Sequence, residues 1–239
     1  MANTFERIEK KYLLTNNQYQ ELMKKIADYV EMDDYPMSCI HNIYYDTPSF
    51  DIIRESLEKP VYKEKLRLRS YGVPKDDSTV FLELKKKYDG VVYKRRISLK
   101  YEEAINYLEK GIYPKKDSQI LREIDYFVKR HNLTNRTYLR YERLALRGKE
   151  DHQLRITFDS DITACFGRSS LQKGYKGDAV LEEGMVLMEI KVLGAMKLWL
   201  SRILSELEIY PTSISKYGKA YVQNQEYMNS AKESENRYA

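Results

Sequence analysis

The chain has 239 residues, 42% of them hydrophobic and 32% charged, with a formal net charge of +5 from 41 Lys and Arg against 36 Asp and Glu. That is enough apolar material for a sizeable core, and an excess of charge this small does not demand nucleic acid, so where the cations lie matters more than their sum. The opening residues MANTFERIEK have no apolar h-region, and the most apolar stretch, 185–204, is broken by Glu189, Lys191, Lys197 and Arg202, so neither a secretory signal nor membrane insertion is expected.

Cys39 and Cys165 are far apart and lack metal-ligand spacing, which reads as two free thiols in a reducing, cytoplasmic setting. The 22 tyrosines suit strands that are wet on one side. Taken in order, residues 5–13 read as a strand and 15–30 as a helix, with Tyr19, Leu22, Met23, Ile26, Ala27 and Val30 at helical spacing and Thr15 or Asn16 as cap. A strand at 40–46 ends at Thr47-Pro48, and a short helix runs through Leu57. Strands at 62–71, 79–88 and 91–99 follow, the last two joined by Asp89-Gly90 as a tight hairpin. Helices at 101–110, closed by Gly111, and 117–131 precede strands at 136–147, 154–162 and 186–193, and helices at 196–208 and 217–227 close the fold. The expected class is α+β, an eight-stranded antiparallel, closed or nearly closed β barrel with helices packed outside. Residues 1–228 read as one domain and 229–239 as a disordered tail.

Side chains alternate between the two faces of a strand, and here the alternation separates cations from core. Lys63, Lys65, Arg67 and Arg69 alternate with Leu66 and Leu68; Glu83, Lys85 and Lys87 with Val80, Leu82 and Leu84; Lys94 and Arg96 with Tyr93, Ile97 and Leu99. Arg7, Glu9 and Lys11 share a face of the first strand, Arg143 stands near Tyr141, Arg155 and Asp159 alternate with Leu154, Ile156 and Phe158, and Glu189 and Lys191 with Met188, Ile190 and Val192. A polar face turned to water is the plainer reading of any one strand. Strand after strand of Lys and Arg with few carboxylates is better explained by a chain of phosphates between them, because unscreened like charges repel and arginine forks and ammonium groups match phosphate oxygens. Glu189 is then either the holder of a divalent cation, Mn²⁺ or Mg²⁺, or the ion-pair partner of Lys191 or Arg155. His41, His131 and His152 read as surface residues, and no P-loop or kinase signature occurs. Lys216, in Ser215-Lys216-Tyr217 ahead of the last helix, is a candidate phosphate contact at a helix start.

The motifs FERIEKKY, KLRLRSY, LELKKK, YERLAL, LRITFD, MEIKV and SKYGKAY, in that order from Phe5 to Tyr221, resemble the polyphosphate polymerase domain of the vacuolar transporter chaperone family, within the triphosphate tunnel metalloenzyme superfamily. The resemblance implies an eight-stranded tunnel and a metal-dependent enzyme that moves the terminal phosphate of ATP onto inorganic polyphosphate and releases ADP. It implies Lys11 as a triphosphate ligand, Arg67 and Arg69 as the paired phosphate-gripping arginines, and Lys85 and then Lys94 or Arg96 as further basic positions. It also implies Tyr141 with Arg143, Arg155, and Lys216 as site residues, and Glu189 as the metal ligand. On the alternation, Arg7 and Lys191 join the phosphate-binding set. Hydrolase and cyclase branches carry Glu-x-Glu-x-Lys where this chain reads Arg7-Ile8-Glu9-Lys10-Lys11, which removes a potential metal ligand, adds a phosphate ligand and favours the polymerase. A hydrolase with the same tunnel and a non-catalytic polyphosphate binder are the alternatives. Eukaryotic relatives add an inositol-phosphate sensing domain and membrane helices, so regulation and any membrane-protein partner are left open. Nucleic acid is not an expected partner.

Overall fold

The computed structural model describes residues 7–175 and 177–237, with side chains described between 8 and 229. Its elements are β1 (Arg7–Leu14), α1 (Asn16–Ile26), β2 (Val30–Asp46), α2 (Asp51–Leu57), β3 (Tyr62–Tyr71), β4 (Thr79–Tyr88), β5 (Val91–Lys100), α3 (Tyr101–Lys110) and α4 (Gln119–His131). These are followed by β6 (Thr134–Gly148), β7 (Arg155–Phe166), β8 (Asp178–Ala179), β9 (Val186–Leu193), α5 (Leu198–Glu206), β10 (Pro211–Thr212) and α6 (Lys216–Arg237). The eight expected strands are all present, the sheet is antiparallel wherever its register is defined, and the class is α+β. β8 and β10 have two residues each, too short to leave a periodic signal.

Local chemistry explains most boundaries. Thr15 closes a capping box with Gln18 and starts α1. Asp89 (φ 42°) and Gly90 (φ 82°) supply the two left-handed residues that a two-residue hairpin between β4 and β5 requires. One boundary differs from expectation. α1 stops at Ile26, and β2 begins at Val30, well before residue 40. Glu31, Asp33, Asp34 and Pro36 read as loop, but the acids are paired: Glu31 and Asp34 with Arg147, Asp33 with Arg155. His41 is a second difference: it is buried, its Nδ1 2.5 Å from the Tyr138 hydroxyl. The tail expected over 229–239 falls largely outside the described side chains; the backbone of α6 runs to Arg237.

The chain forms two compact units. The first comprises the chain up to Cys39, Tyr141–Ile162 and Leu181–Ile214; the second comprises Ile40–Arg140, Thr163–Val180 and the chain from Ser215. In the first unit the strand order is β10-β1-β9-β7-β6. Its core gathers Leu14, Leu22, Ile26, Ile156, Met188, Ile190 and Leu200 from β1, α1, β7, β9 and α5. In the second the order β6-β2-β3-β4-β5 presents Ile43, Leu66, Leu68, Val80, Leu82 and Leu84 to Ala104, Leu121, Ile124 and Phe127 of α3 and α4. Every other residue of β3 and β4 is thereby committed to core, and the residues between them are forced onto the opposite face. Among the described residues, no helix is long and apolar enough to cross a membrane.

Candidate functional site

In the second unit the strand register turns the alternating cations into rows. Tyr44, Arg67, Glu83 and Arg96 lie side by side across β2, β3, β4 and β5. One row along lie Lys65, Lys85 and Lys94, and beyond them Lys63 and Lys87. The centre is Glu83, 1% exposed. Its Oε2 is 2.8 Å from Arg67 Nε and 3.7 Å from Arg69 Nε. Its Oε1 is 2.8 Å from Lys94 Nζ and 2.5 Å from Arg96 Nη2. Burial alone would raise the Glu83 carboxyl, but Arg67, Arg69 and Lys94 outweigh it and hold the group well below the usual carboxylate range. The Lys94 ammonium is lowered, first by burial and further by Arg96 and Arg69, against the support of Glu83.

The cations are also held by neighbours other than Glu83. Arg67 Nη1 donates to the Tyr44 hydroxyl (3.3 Å). Arg69 Nε donates to Asn42 Oδ1 (3.2 Å), and Asn42 Nδ2 in turn to the Leu139 carbonyl (3.1 Å). The Arg96 guanidinium lies 4.6 Å from the Phe81 ring centroid. These contacts fix guanidinium planes in advance of any ligand, which is how a site avoids spending binding energy on ordering long side chains. Lys85 and Lys87 have no carboxylate partner among the described residues. Lys63 is lowered by burial and then by Lys87, Lys59 and Lys85.

The start of α6 is fastened to the same unit. Ser215 Oγ accepts from Gly218 N (3.3 Å) and from Lys65 Nζ (3.4 Å). Tyr217 stacks on Tyr44, with centroids 4.3 Å apart, and donates to Asp46 Oδ2 (2.8 Å). A Cβ at Gly218 would stand 3.0 Å from Leu57 Cδ2, so glycine lets α6 approach α2 without pushing the Leu57 side chain aside. The SKYGKAY motif is thus a cap, a ring stack and a close approach, and it sets Lys216 at the first turn of α6 beside the Lys65 contact.

In the first unit the charges are balanced differently. Lys11 pairs in register with Glu189 and Glu9 with Lys191, while β7 sets Thr157 beside Glu189 and Arg155 beside Lys191. Lys11 Nζ is 3.9 Å from both Glu9 Oε1 and Glu189 Oε2. Lys191 Nζ is 4.0 Å from Glu9 Oε2 and in contact with Glu189 Oε1. Of the two roles open to Glu189, the ion pair with Lys191 is formed. Arg155 Nη2 turns to Asp33 Oδ2 (2.7 Å). Arg143 makes a bidentate pair with fully buried Asp159, Nε–Oδ1 2.6 Å and Nη2–Oδ2 2.7 Å, and its charge is 5.3 Å from the buried Tyr141 ring. Burial opposes the Arg143 charge, and Asp159 with Tyr141 and Glu189 raises its pKa above the usual value nonetheless. The Arg7 side chain lies outside the described residues.

A divalent cation fits the Glu189 row. Thr157 Oγ1, buried and directly opposite Glu189 in register, has no hydrogen-bond partner among the described residues, and Glu9 supplies a second carboxylate to the same two lysines. Mg²⁺ and Mn²⁺ are commonly held by one or two carboxylates with substrate phosphates and water completing the shell. The protein offers only that partial shell: no group of three or more His, Cys, Asp or Glu suited to a metal occurs among the described residues.

The alternation of the sequence thus names the cations, and the structure adds the groups that organise them. Glu83 was visible as an acid on a cationic face, which was the available signal. Asp159 shares a strand face with Arg155 in the sequence, but nothing there pairs it with Arg143. Asp33, Asn42, Tyr44 and Thr157 carry no local mark at all.

A family profile described as the VTC domain matches residues 6–224. Among curated proteins none matches at a significant level. A Bacillus halodurans protein and a Vibrio parahaemolyticus protein, each named "putative adenylate cyclase", are similar in structure. The first has 15% identity and a TM-score of 0.55, covering 87% of this chain and 93% of its own; the second has 11% and 0.46, covering 90% and 97%. The Bacillus structure shows a shared fold. With the profile spanning almost the whole sequence and the motif residues lying in the rows just described, the chain belongs to the VTC domain family.

Proposed function

We propose that the protein is a metal-dependent phosphotransferase that moves the γ-phosphate of ATP onto a growing inorganic polyphosphate chain and releases ADP. The observation that carries this reading is the cluster of Arg67, Arg69, Lys94 and Arg96, preset around Glu83 and continued by Lys65, Lys85, Lys63 and Lys87. A single nucleotide phosphate would not use a ladder of cations this long; a chain of phosphates would. The cluster binds and orients the phosphates, with Lys216 assigned to the same role. Glu189, Glu9 and Thr157 are assigned to a divalent cation, whose chemistry is to neutralise phosphate oxygens as charge shifts in transfer. Lys11, Lys191 and Arg155 serve phosphate in the same unit, and Arg143 with Tyr141 and Asp159 forms the buried support behind them.

The transfer is an in-line displacement. A terminal oxygen of the polyphosphate forms a bond to the γ-phosphorus as the bond from that phosphorus to the β–γ bridging oxygen breaks, and the electron pair leaves with ADP. No protein nucleophile is required, and the attacking phosphate is already ionised at neutral pH, so no general base is required either. Positioning and preset positive charge account for catalysis of this kind.

The test is to incubate the purified protein with ATP and Mn²⁺ or Mg²⁺, resolve phosphate chains on a gel and assay free phosphate and ADP. Long chains with stoichiometric ADP, abolished by chelation, are expected. Free phosphate without chains would replace the polymerase by a hydrolase, and neither product would leave a binding protein.

A further inference from the structure

We infer that Glu83 is a specificity-determining residue, an internal anion that makes the β3–β5 cluster respond to linked phosphates and not to orthophosphate. The inference rests on the proposed function in one respect, that this cluster is where phosphate binds.

The geometry divides the carboxylate between two strands. The β3 arginines, Arg67 and Arg69, face Oε2, and the β5 cations, Lys94 and Arg96, face Oε1. Glu83 therefore sits at the point where the four cations converge, which is the point a lone phosphate would seek. It cannot leave: its own strand runs between the other two, with Leu82 and Leu84 on either side of it fully buried. Stripping the buried carboxylate of its partners is strongly unfavourable. An orthophosphate must pay this cost or settle for one side.

Linked phosphates have another option. Each guanidinium carries five N–H donors and Glu83 engages only part of them, so Arg69 on β3 and Arg96 on β5 have donors beyond those facing Glu83. These donors belong to strands on opposite sides of β4, with the Glu83 carboxylate standing between the two sets. One phosphate reaches both sets only by taking the place of the carboxylate, whereas a chain can reach them around it and leave the carboxylate in place. Four cations against one carboxylate leave three positive charges, so a polyanion is still strongly favoured. The next row, Lys65, Lys85 and Lys94, extends the preference along the strands.

The experiment is calorimetric titration of the full chain with orthophosphate, pyrophosphate and tripolyphosphate in the absence of metal. Wild type is compared with Glu83→Asp, Glu83→Gln and the double variant Glu83→Gln with Lys94→Met. Glu83→Gln is expected to gain about tenfold in orthophosphate affinity while tripolyphosphate changes less than about threefold, so the selectivity ratio collapses. Glu83→Asp, which keeps the charge, is expected to keep the wild-type ratio. The double variant again leaves three positive charges but lacks the carboxylate, and it is expected to show the collapsed ratio too. It decides the matter alone if Glu83→Gln loses its circular-dichroism signature of folding. A wild-type ratio in the double variant would assign selectivity to net charge and overturn the inference. Tripolyphosphate binding by wild type with an unaltered ratio in Glu83→Gln would overturn it while leaving the proposed function standing. Absence of tripolyphosphate binding by wild type would remove the proposed function itself.

Discussion

The two units use the same residue types to opposite ends. In the second, four cations share one buried carboxylate, and the rows beyond it are lysine against lysine. In the first, charges alternate: Glu9 and Glu189 with Lys11 and Lys191, Asp159 with Arg143, Asp33 with Arg155. A surplus of preset positive charge is a demand for an anion from outside. A balanced set is satisfied on its own, and what it offers is carboxylate oxygen that can be transferred from lysine to a metal. Composition alone cannot tell these apart, because both read as "basic strand".

The contrast can be broken by substitution. The largest effect is expected from Asp159→Asn in the balanced unit. Arg143 would be left buried with half a partner, and denaturant unfolding should show a loss of about 3–5 kcal/mol; a loss under about 1 kcal/mol would mean the pair is not a support. Glu189→Gln in the same unit should lower metal-dependent turnover about 100- to 1000-fold while metal-free tripolyphosphate binding is nearly unchanged. Full turnover in that variant would remove Glu189 from the metal assignment. In the surplus unit, Arg67→Ala with Arg69→Ala should weaken tripolyphosphate binding by about 30- to 100-fold and make it less salt-sensitive, and because buried Glu83 loses two cations the affinity is read on protein shown by circular dichroism to be folded. Unchanged affinity would put the phosphate elsewhere.

The smallest effect concerns acid. The folded-state pKa of Glu83 lies below its ordinary value of about 4.5, so its contribution to stability is complete above that pH and is lost progressively as pH falls toward the folded value. Urea melts between pH 6 and pH 3 should therefore steepen in their decline below about pH 4.5 in wild type, and less so in Glu83→Gln.

Much of this was legible from sequence because strand alternation is a local code. Asp89-Gly90 announces its hairpin, and Lys65, Arg67 and Arg69 against Leu66 and Leu68 announce their faces. What escaped is pairing across distance. Glu31, Asp33 and Asp34 with Pro36 look like a loop until Arg147 and Arg155 are brought against them, and then the segment is strand. Glu83 is one acid among cations in the linear record, and only register shows that strands on both sides send their charges to it. Thr157 stands out only once its neighbours are known, because a missing hydrogen bond has no sequence signature.

Each unit is also assembled from three separated stretches of chain. β1 finds its partner in β9, so Lys11 meets Glu189 only after all the chain between them has been made. Contacts of such long sequence separation close late and slowly, since loop entropy is lost before pairing compensates it. On a ribosome, β1 must wait with its backbone edge unpaired until β9 has emerged. Neither half can be released as an autonomous fragment by cutting the gene at one place. Truncation from the carboxyl end should therefore cause abrupt loss of the whole first unit, where a modular protein would lose function piece by piece.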